Sequence, residues 1–599
     1  MRLSDYKYLD KLNNIADLKL LSRDTLPQLA SEIRSFLITS LGRTGGHVAS
    51  NLGVIEATIA LHYIFDSPND KIVWDVSHQC YTHKIITGRR PGIEKLNEIE
   101  GVSGFTNINE SEHDIFNVGH TSVAISLAFG LAKARDLAGQ GMHVIAFIGD
   151  GALSGGQAFE ALNSASVKTN RLIIIVNDNQ MAIDPNNGAI YRHLDQLRET
   201  RGESDYNLFK TLGYDYLYVH EGNDVLKLLT AFEQAKYSVM PIVVHICTKK
   251  GKGFKPAEEA PNIWHYHSPF DSETGESTVQ YKFGVPRGGS EDDIFYASPR
   301  DTTSNWFRQF LSKDNRNVIV APATQFVDSS EFYKLGPQYL DVDIGEQNAV
   351  SFASALSRGG SNVFLMIQSS FLQRAYDQIA QDWCMQNTAV SMIVVASGIS
   401  SLDYSHVAMY DIALLSNIPN FVYLSPTCLE EYIKMLDWCS EQCFPTAIRL
   451  ASGPIEVTNR NINEIKLGES EVLQEGSGVA ILGLGKFLSL ANEVSSLLRT
   501  EANINATIIN PRFITHLDEN LLLKLVQNHA LLVTLEDGII DGGFGQKVQH
   551  FLSEYNIRVI SFGGKREFID HVPFDDLMRK YELTAKQIAS KILTFSWRQ

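Results

Sequence analysis

The feature that most constrains this chain is a short apolar run that keeps returning. Runs rich in Val and Ile, each closed by a polar residue, Gly or Pro, stand at 143–151 (HVIAFIGDG), 171–179 (RLIIIVNDN), 241–251 (PIVVHICTKKG) and 317–324 (NVIVAPAT). Others stand at 391–398 (SMIVVASG), 421–426 (FVYLSP), 478–485 (GVAILGLG), 505–512 (NATIINPR), 530–538 (ALLVTLEDG) and 557–564 (IRVISFGG). They do not alternate apolar with polar. Strands of this kind are buried on both faces, which is the situation inside a parallel sheet. Helical patterns such as GQAFEALNSAS and LANEVSSLLRTEA lie between them. Alternating strand and helix predicts an α/β, doubly wound architecture. In such sheets ligands bind beyond the carboxyl ends of the strands, and the polar punctuation of the runs falls there.

With 599 residues the chain is too long for one core. Domains of ~100–200 residues predict three or four. Residues 271–305, rich in Gly, Ser, Asp and Thr, read as a linker, and 452–469 as a weaker one. The expected blocks are therefore 1–270, 306–451 and 470–599. The formal net charge of −17 argues against nucleic acid or an anionic membrane as the main partner. It leaves a phosphorylated ligand open, because backbone N–H groups and a metal bind phosphate in an acidic protein. The six cysteines are scattered without a CxxC pair, so neither a disulfide framework nor a zinc site is expected. There is no N-terminal apolar h-region and no run of ~20 apolar residues. These features predict a large, soluble, cytoplasmic protein.

Two strand ends carry metal chemistry. Asp150 follows one run with a glycine on each side, and Asn179 closes the next run. Both are expected at one edge of one sheet. A hard cation such as Mg²⁺ takes oxygen ligands and shares them with phosphates; Asp150, the Asn179 amide and the Met181 carbonyl supply oxygens. Gly149 and Gly151 allow close approach of the backbone. A helix starting near Ser154 aims its N–H groups at the same place. Either turn alone reads as an ordinary loop; the two together point to a site. A different puzzle is DIGEQNAV, 343–350, where Glu346 stands among small and apolar residues. A buried carboxylate needs a partner. The bland explanation is an acid at a helix N-terminus, favoured by the helix dipole.

A GDG followed by NDN after the next strand resembles the thiamine diphosphate enzymes. More narrowly, GGHVASNLGVIEATIALHYIFDSPNDKIVWDVSHQCYTHKIITGRR (45–90), GDGALSGGQAFEALNSA, TKKGKGFKPAEEAP (248–261), EQNAV and SSFLQRAYDQIAQD (369–382) resemble the 1-deoxy-D-xylulose-5-phosphate synthase family. The resemblance implies three doubly wound α/β domains of the transketolase type with mostly parallel sheets. The first would bind diphosphate and metal, the second the aminopyrimidine ring, and the third would be the transketolase-type C-terminal domain. It implies thiamine diphosphate and Mg²⁺ as cofactors, with Asp150, Asn179 and Met181 as metal ligands. His78, Gly119, His120, Thr121, Gly151, Ala152, Asn179, Phe254, Glu346 and Phe371 match cofactor-lining positions. Glu346, His47, His78 and His265 match catalytic positions, and His47, His265, Arg374 and His406 match positions toward the substrates. A buried, protonated Glu346 would donate to the aminopyrimidine, since burial raises a carboxyl pKa. The reaction implied is transfer of a two-carbon unit from pyruvate to glyceraldehyde 3-phosphate with loss of CO₂. The product is 1-deoxy-D-xylulose 5-phosphate, for isoprenoid biosynthesis. A homodimer with both halves of each site from one chain is also implied. His62, His83 and His571 read as structural.

The acceptor end departs from the family pattern. Asn348 replaces a histidine, Gln368 a tyrosine, and Ala396 and Ser452 arginines, while Arg449 is kept. Arg374 is the cation expected to compensate. Charge-assisted contacts to phosphate contribute about 1.5–3 kcal/mol each. Losing two weakens phosphate binding, so a divergent carboligase with another acceptor or donor, or a non-catalytic thiamine diphosphate-binding protein, are the alternative expectations.

Overall fold

The computed structural model describes residues 6–96, 98, 100–278, 295–324, 326, 327, 332, 334, 336–400 and 404–594. They form two compact units. Residues 6–278 make up the first, together with 343–345 and 404–405.

The first unit is built on one parallel sheet. Its strands are β1 (Lys71–Trp74), β2 (Val144–Gly149), β3 (Leu172–Asp178), β4 (Asp215–Val219) and β5 (Ile242–Cys247), in the order β1-β2-β3-β5-β4. Successive side chains of a strand point to opposite faces, and both faces are covered here. Ile145, Phe147, Ile173 and Ile175 join a core with Leu29, Ile33, Ile59 and Phe232, from helices Leu26–Thr44, Ile55–Ile64 and Val225–Lys236. Val144, Ala146, Ile148 and Ile174 join a second core with Ala128, Ala161 and Leu194, from helices Ala124–Leu137, Gly156–Lys168 and Ala189–Glu199. That is why the stretches 144–149 and 172–176 of the runs 143–151 and 171–179 are apolar throughout.

The second unit carries two larger sheets and a small ribbon. In the ribbon β6 (Phe295–Ala297) pairs antiparallel with a later strand, Ile455–Val457. The six-stranded parallel sheet holds β7 (Asn317–Ala321), β8 (Tyr339–Asp341), β9 (Asn362–Gln368), β10 (Val390–Ser397), β11 (Val422–Leu424) and β12 (Thr446–Ala451), ordered β11-β12-β10-β9-β7-β8. The ribbon partner at Ile455–Val457 is β13. Last comes a sheet of β14 (Glu471–Gln474), β15 (Gly478–Gly483), β16 (Thr507–Asn510), β17 (His529–Ile539) and β18 (Arg558–Gly564), ordered β14-β16-β15-β17-β18. In it only the edge strand β14 runs antiparallel.

All ten apolar runs of the sequence are strands. The fold is α/β with mostly parallel sheets, as expected. β6 and the first turns of helix Pro299–Lys313 lie in the stretch whose composition reads as a linker, and β13 in the second such stretch. Among the described residues no helix is long and apolar enough to cross a membrane, and all six cysteines are free.

Candidate active site

In the first unit, β2 and β3 are parallel neighbours with Gly149 opposite Asn177. Their ends therefore lie side by side. Asp150 follows β2 and is buried; its Oδ2 accepts the Asn179 N–H at 3.2 Å and the Asn186 side-chain amide at 3.0 Å. Asn179 Oδ1 in turn accepts the Met181 N–H at 3.2 Å. The sequence-predicted metal residues are thus brought together. Burial, and then the neighbouring Asp178 carboxylate, push the Asp150 carboxyl up to about 8. Burial acts on Asp178 in the same direction, but His245 and Arg198 hold it below its ordinary value. Gly151 is required: a Cβ there would lie 2.7 Å from the Ala182 Cβ. The expected helix near Ser154 begins later. Gly151–Ser154 is a single 3₁₀ turn, Gly155 is extended (φ −69°, ψ 134°), and the helix starts at Gly156. The break follows from packing, because a Cβ on Gly155 would sit 2.1 Å from Ser122 Oγ.

Three of the five candidate histidines cluster. The rings of His47 and His78 lie 5.2 Å apart, those of His47 and His265 5.6 Å, and those of His78 and His265 5.1 Å. Asn51 holds two of them: its side-chain N–H groups donate to the His47 carbonyl at 2.7 Å and the His78 carbonyl at 2.8 Å. His265 is drawn in by the paired backbones of Gly46 and His267, at glycines with φ of 72° and 136° that a side chain rarely adopts. His78 follows two strained residues, Val76 and Ser77, at φ 57° and 66°. Non-glycine residues in that region concentrate at functional sites. The fourth histidine, His120, lies apart, with Nε2 2.8 Å from the Ser405 carbonyl. Gly119 beside it leaves no room for a Cβ, which would stand 1.8 Å from Ser405 Oγ. Thr121 adjoins Ser122, whose N–H donates to Asp75 Oδ1 at 2.8 Å, and the Ser122 hydroxyl donates to the Ala152 carbonyl at 2.7 Å. Phe254 is buried edge-on against Trp264, ring centroids 5.0 Å apart.

Lys250 is a site residue that sequence reasoning missed. It is buried, its Nζ approaches His265 Nδ1 at 3.3 Å and donates to the Ala182 carbonyl. Burial lowers its amine to about 8. Burial and Lys250 also push His265 well below the ordinary histidine range. Asn51 was missed too. Both stand inside quoted motifs, GGHVASNLG and TKKGKGF, but a lysine in a basic run reads as solvated and an asparagine as a turn.

In the second unit, Glu346 opens helix Glu346–Arg358 and is 5% exposed. Its Oε2 lies 3.3 Å from Arg374 Nη1. Glu346 is thus a helix N-terminal acid, as the bland reading has it, and it is buried beside an arginine. Phe371 packs edge-on against His406 with centroids 5.5 Å apart. Gln368, at the end of β9, donates to Ser370 Oγ at 3.1 Å, and Asn348 is exposed. Arg449 is fully buried. Its Nε donates to Asp411 Oδ2 at 2.7 Å and its Nη1 to Asp537. The retained arginine is therefore committed to two carboxylates of the fold.

Three family models match in chain order. Residues 9–207 match 1-deoxy-D-xylulose-5-phosphate synthase, 298–453 the transketolase pyrimidine binding domain, and 468–588 the transketolase C-terminal domain. This architecture is that of the transketolase-type, thiamine diphosphate-dependent transferases. A 1-deoxy-D-xylulose-5-phosphate synthase of Caldanaerobacter subterraneus subsp. tengcongensis is 37% identical over 98% of this chain and 98% of its own. One of Clostridium acetobutylicum is 36% identical over 98% of this chain and 100% of its own. The chain belongs to the 1-deoxy-D-xylulose-5-phosphate synthase family. A crystal structure of transketolase from Campylobacter jejuni aligns over 96% of this chain and 100% of its own at 15% identity, with a TM-score of 0.43.

Proposed function

We propose that this protein condenses a two-carbon unit from pyruvate with glyceraldehyde 3-phosphate, releasing CO₂ and forming 1-deoxy-D-xylulose 5-phosphate for isoprenoid biosynthesis. It would act as a cytoplasmic homodimer of three-domain chains, with thiamine diphosphate and Mg²⁺. The observation that carries this reading is the family relationship over 98% of the chain, which favours neither a non-catalytic protein nor another carboligase.

The residues fit the cofactors. Buried Asp150 accepts from the backbone N–H groups of Gly151 and Asn179 and from the Asn186 side-chain amide, and Mg²⁺ is the hard cation such carboxylate oxygens take. Among the described residues the buried Asn186 side-chain oxygen has no hydrogen-bond partner, which supports a ligand at this edge. Asp150, Asn179 and the Met181 carbonyl would hold the metal, and Lys250 would offset diphosphate charge. Thiamine diphosphate, when bound, supplies the nucleophilic carbon on which two-carbon transfer depends. Glu346 would face the aminopyrimidine with its carboxyl, with Phe371 against that ring. His47, His78 and His265 would hold substrate oxygens and move protons between their ring nitrogens.

The test uses the purified protein with both cofactors, pyruvate and glyceraldehyde 3-phosphate. CO₂ release with equimolar deoxyxylulose phosphate, identified by NMR, is expected. Cofactor-loaded protein that yields neither would overturn the reading.

A further inference from the structure

The acceptor end lacks arginines at Ala396 and Ser452, and Arg449 is occupied by Asp411 and Asp537. A cation does reach this place, from a different sheet. Gln368, Ala396 and Ser452 stand at the ends of β9, β10 and β12, which are neighbours in one sheet. Ser452 is tied across to β10, its N–H donating to the Ser397 carbonyl at 2.9 Å. Lys486 belongs to the turn after β15, yet its Nζ donates to the Ser452 carbonyl at 2.8 Å. A Cβ on the next residue, Gly453, would lie 3.5 Å from that Nζ. The turn is fixed by packing. Gly485, at φ 53°, leaves no room for a Cβ, which would stand 2.2 Å from Ser425 Oγ behind β11.

We propose that Lys486 is the cation that selects a phosphorylated aldehyde, standing at the main chain of Ser452 in place of the missing side-chain charge there. The inference rests on the reaction proposed above. An ammonium has three N–H donors, and Ser452 takes one; the Lys486 side chain reaches the surface, although burial around its amine lowers it from the ordinary lysine value and Asp537 acts against that. Among the described residues the charged groups around Arg449 are Asp411 and Asp537, one cation against two carboxylates, with the Glu536 carboxyl beside them pushed up to about 8 by burial. That neighbourhood repels a phosphate dianion; with Lys486 it is balanced.

The experiment compares wild type, Lys486→Ala and Lys486→Arg on glyceraldehyde 3-phosphate and on glyceraldehyde, with pyruvate and cofactors at saturation. In Lys486→Ala the preference for the phosphorylated aldehyde, as a ratio of kcat/KM values, is expected to fall about 10- to 100-fold, the worth of one charge-assisted contact. Lys486→Arg is expected to restore most of it. In parallel, calorimetry with inorganic phosphate and the cofactor-loaded protein is expected to detect binding in wild type and none in Lys486→Ala. An unchanged preference in an active enzyme, or phosphate binding that survives in Lys486→Ala, overturns the proposal and leaves the reaction standing. A loss on both aldehydes together with a fall in Tm also overturns it, since Lys486 would then merely balance Asp537. A wild type inactive on both aldehydes whose phosphate binding still depends on Lys486 would sink the reaction and not the anion site.

Discussion

At the scale of the residue, Glu346 gathers most of the chemistry. Its sequence context raised the question of a partner, and the partner on the page is Arg374, 28 positions away. Motif matching placed both residues but assigned Arg374 to the acceptor, because no spacing rule pairs an acid at a helix start with an arginine in a separate turn. Glu346→Gln keeps the volume and removes the acid. Turnover is expected to fall by about 10²- to 10⁴-fold, the usual worth of a positioned proton donor, with Tm within a few degrees of wild type. A variant retaining half its CO₂ release would remove Glu346 from the mechanism. Ala396 bears on the acceptor in another way. It sits at φ 54° where the pairing of β10 with β12 slips, so the backbone strain an arginine would meet there is already present. Ala396→Arg with Ser452→Arg is expected to lower KM for the phosphorylated aldehyde at least several-fold; an unchanged KM would show that these positions do not face the phosphate.

At the scale of the element, a buried network fixes the loops around the histidine cluster. His62 Nε2 lies 2.8 Å from His83 Nδ1, His83 Nε2 lies 2.7 Å from Asp114, and Arg89 donates to both Asp114 oxygens. These links join helix Ile55–Ile64 to the kinked segment Ile85–Arg89 and to Asp114. Burial lowers His83 to about 4, against about 6.5 for the unfolded chain. The unfolded state therefore binds more protons between those values, and stability is lost as pH falls through that window. Asp114 is held far below its ordinary value despite burial, by His83 and Arg89, and its contribution is lost at still lower pH. Unfolding followed by circular dichroism is expected to show the stability that His83 adds, read as wild type minus His83→Gln, falling by about 3 kcal/mol from pH 6.5 to 4. A constant difference over that range would contradict the assignment. Asp114→Asn strips Arg89 and His83 of their counter-charge and is expected to cost about 3–5 kcal/mol. Sequence made most of the central strands legible because double burial leaves a continuous apolar run. It did not reveal β4, whose DYLYV is half exposed at a sheet edge, nor β12, whose Arg449 looks wrong for a core until Asp411 and Asp537 neutralise it. Charges cancelled by residues far along the chain leave no local trace.

At the scale of the whole molecule, fold class and family were readable end to end, since the motifs are long and lie at strand ends where a doubly wound sheet binds ligands. The residues that support those motifs, Asn51 and Lys250 among them, came only from the three-dimensional arrangement. Binding confined to the folded state stabilises it, by about 2.7 kcal/mol at a ligand concentration 100 times Kd. Thiamine diphosphate with Mg²⁺ is expected to raise the Tm by a few degrees, and EDTA to reverse it. A Tm indifferent to both would argue against the metal set at Asp150. The turn at Gly485 and Lys486 bears on how such a chain can be recombined. It belongs to the last sheet but delivers its ammonium to the ends of the preceding one. A chimera that exchanges residues 470–594 for those of a relative would therefore exchange substrate preference along with them, though every strand-end residue of the six-stranded sheet stayed the same.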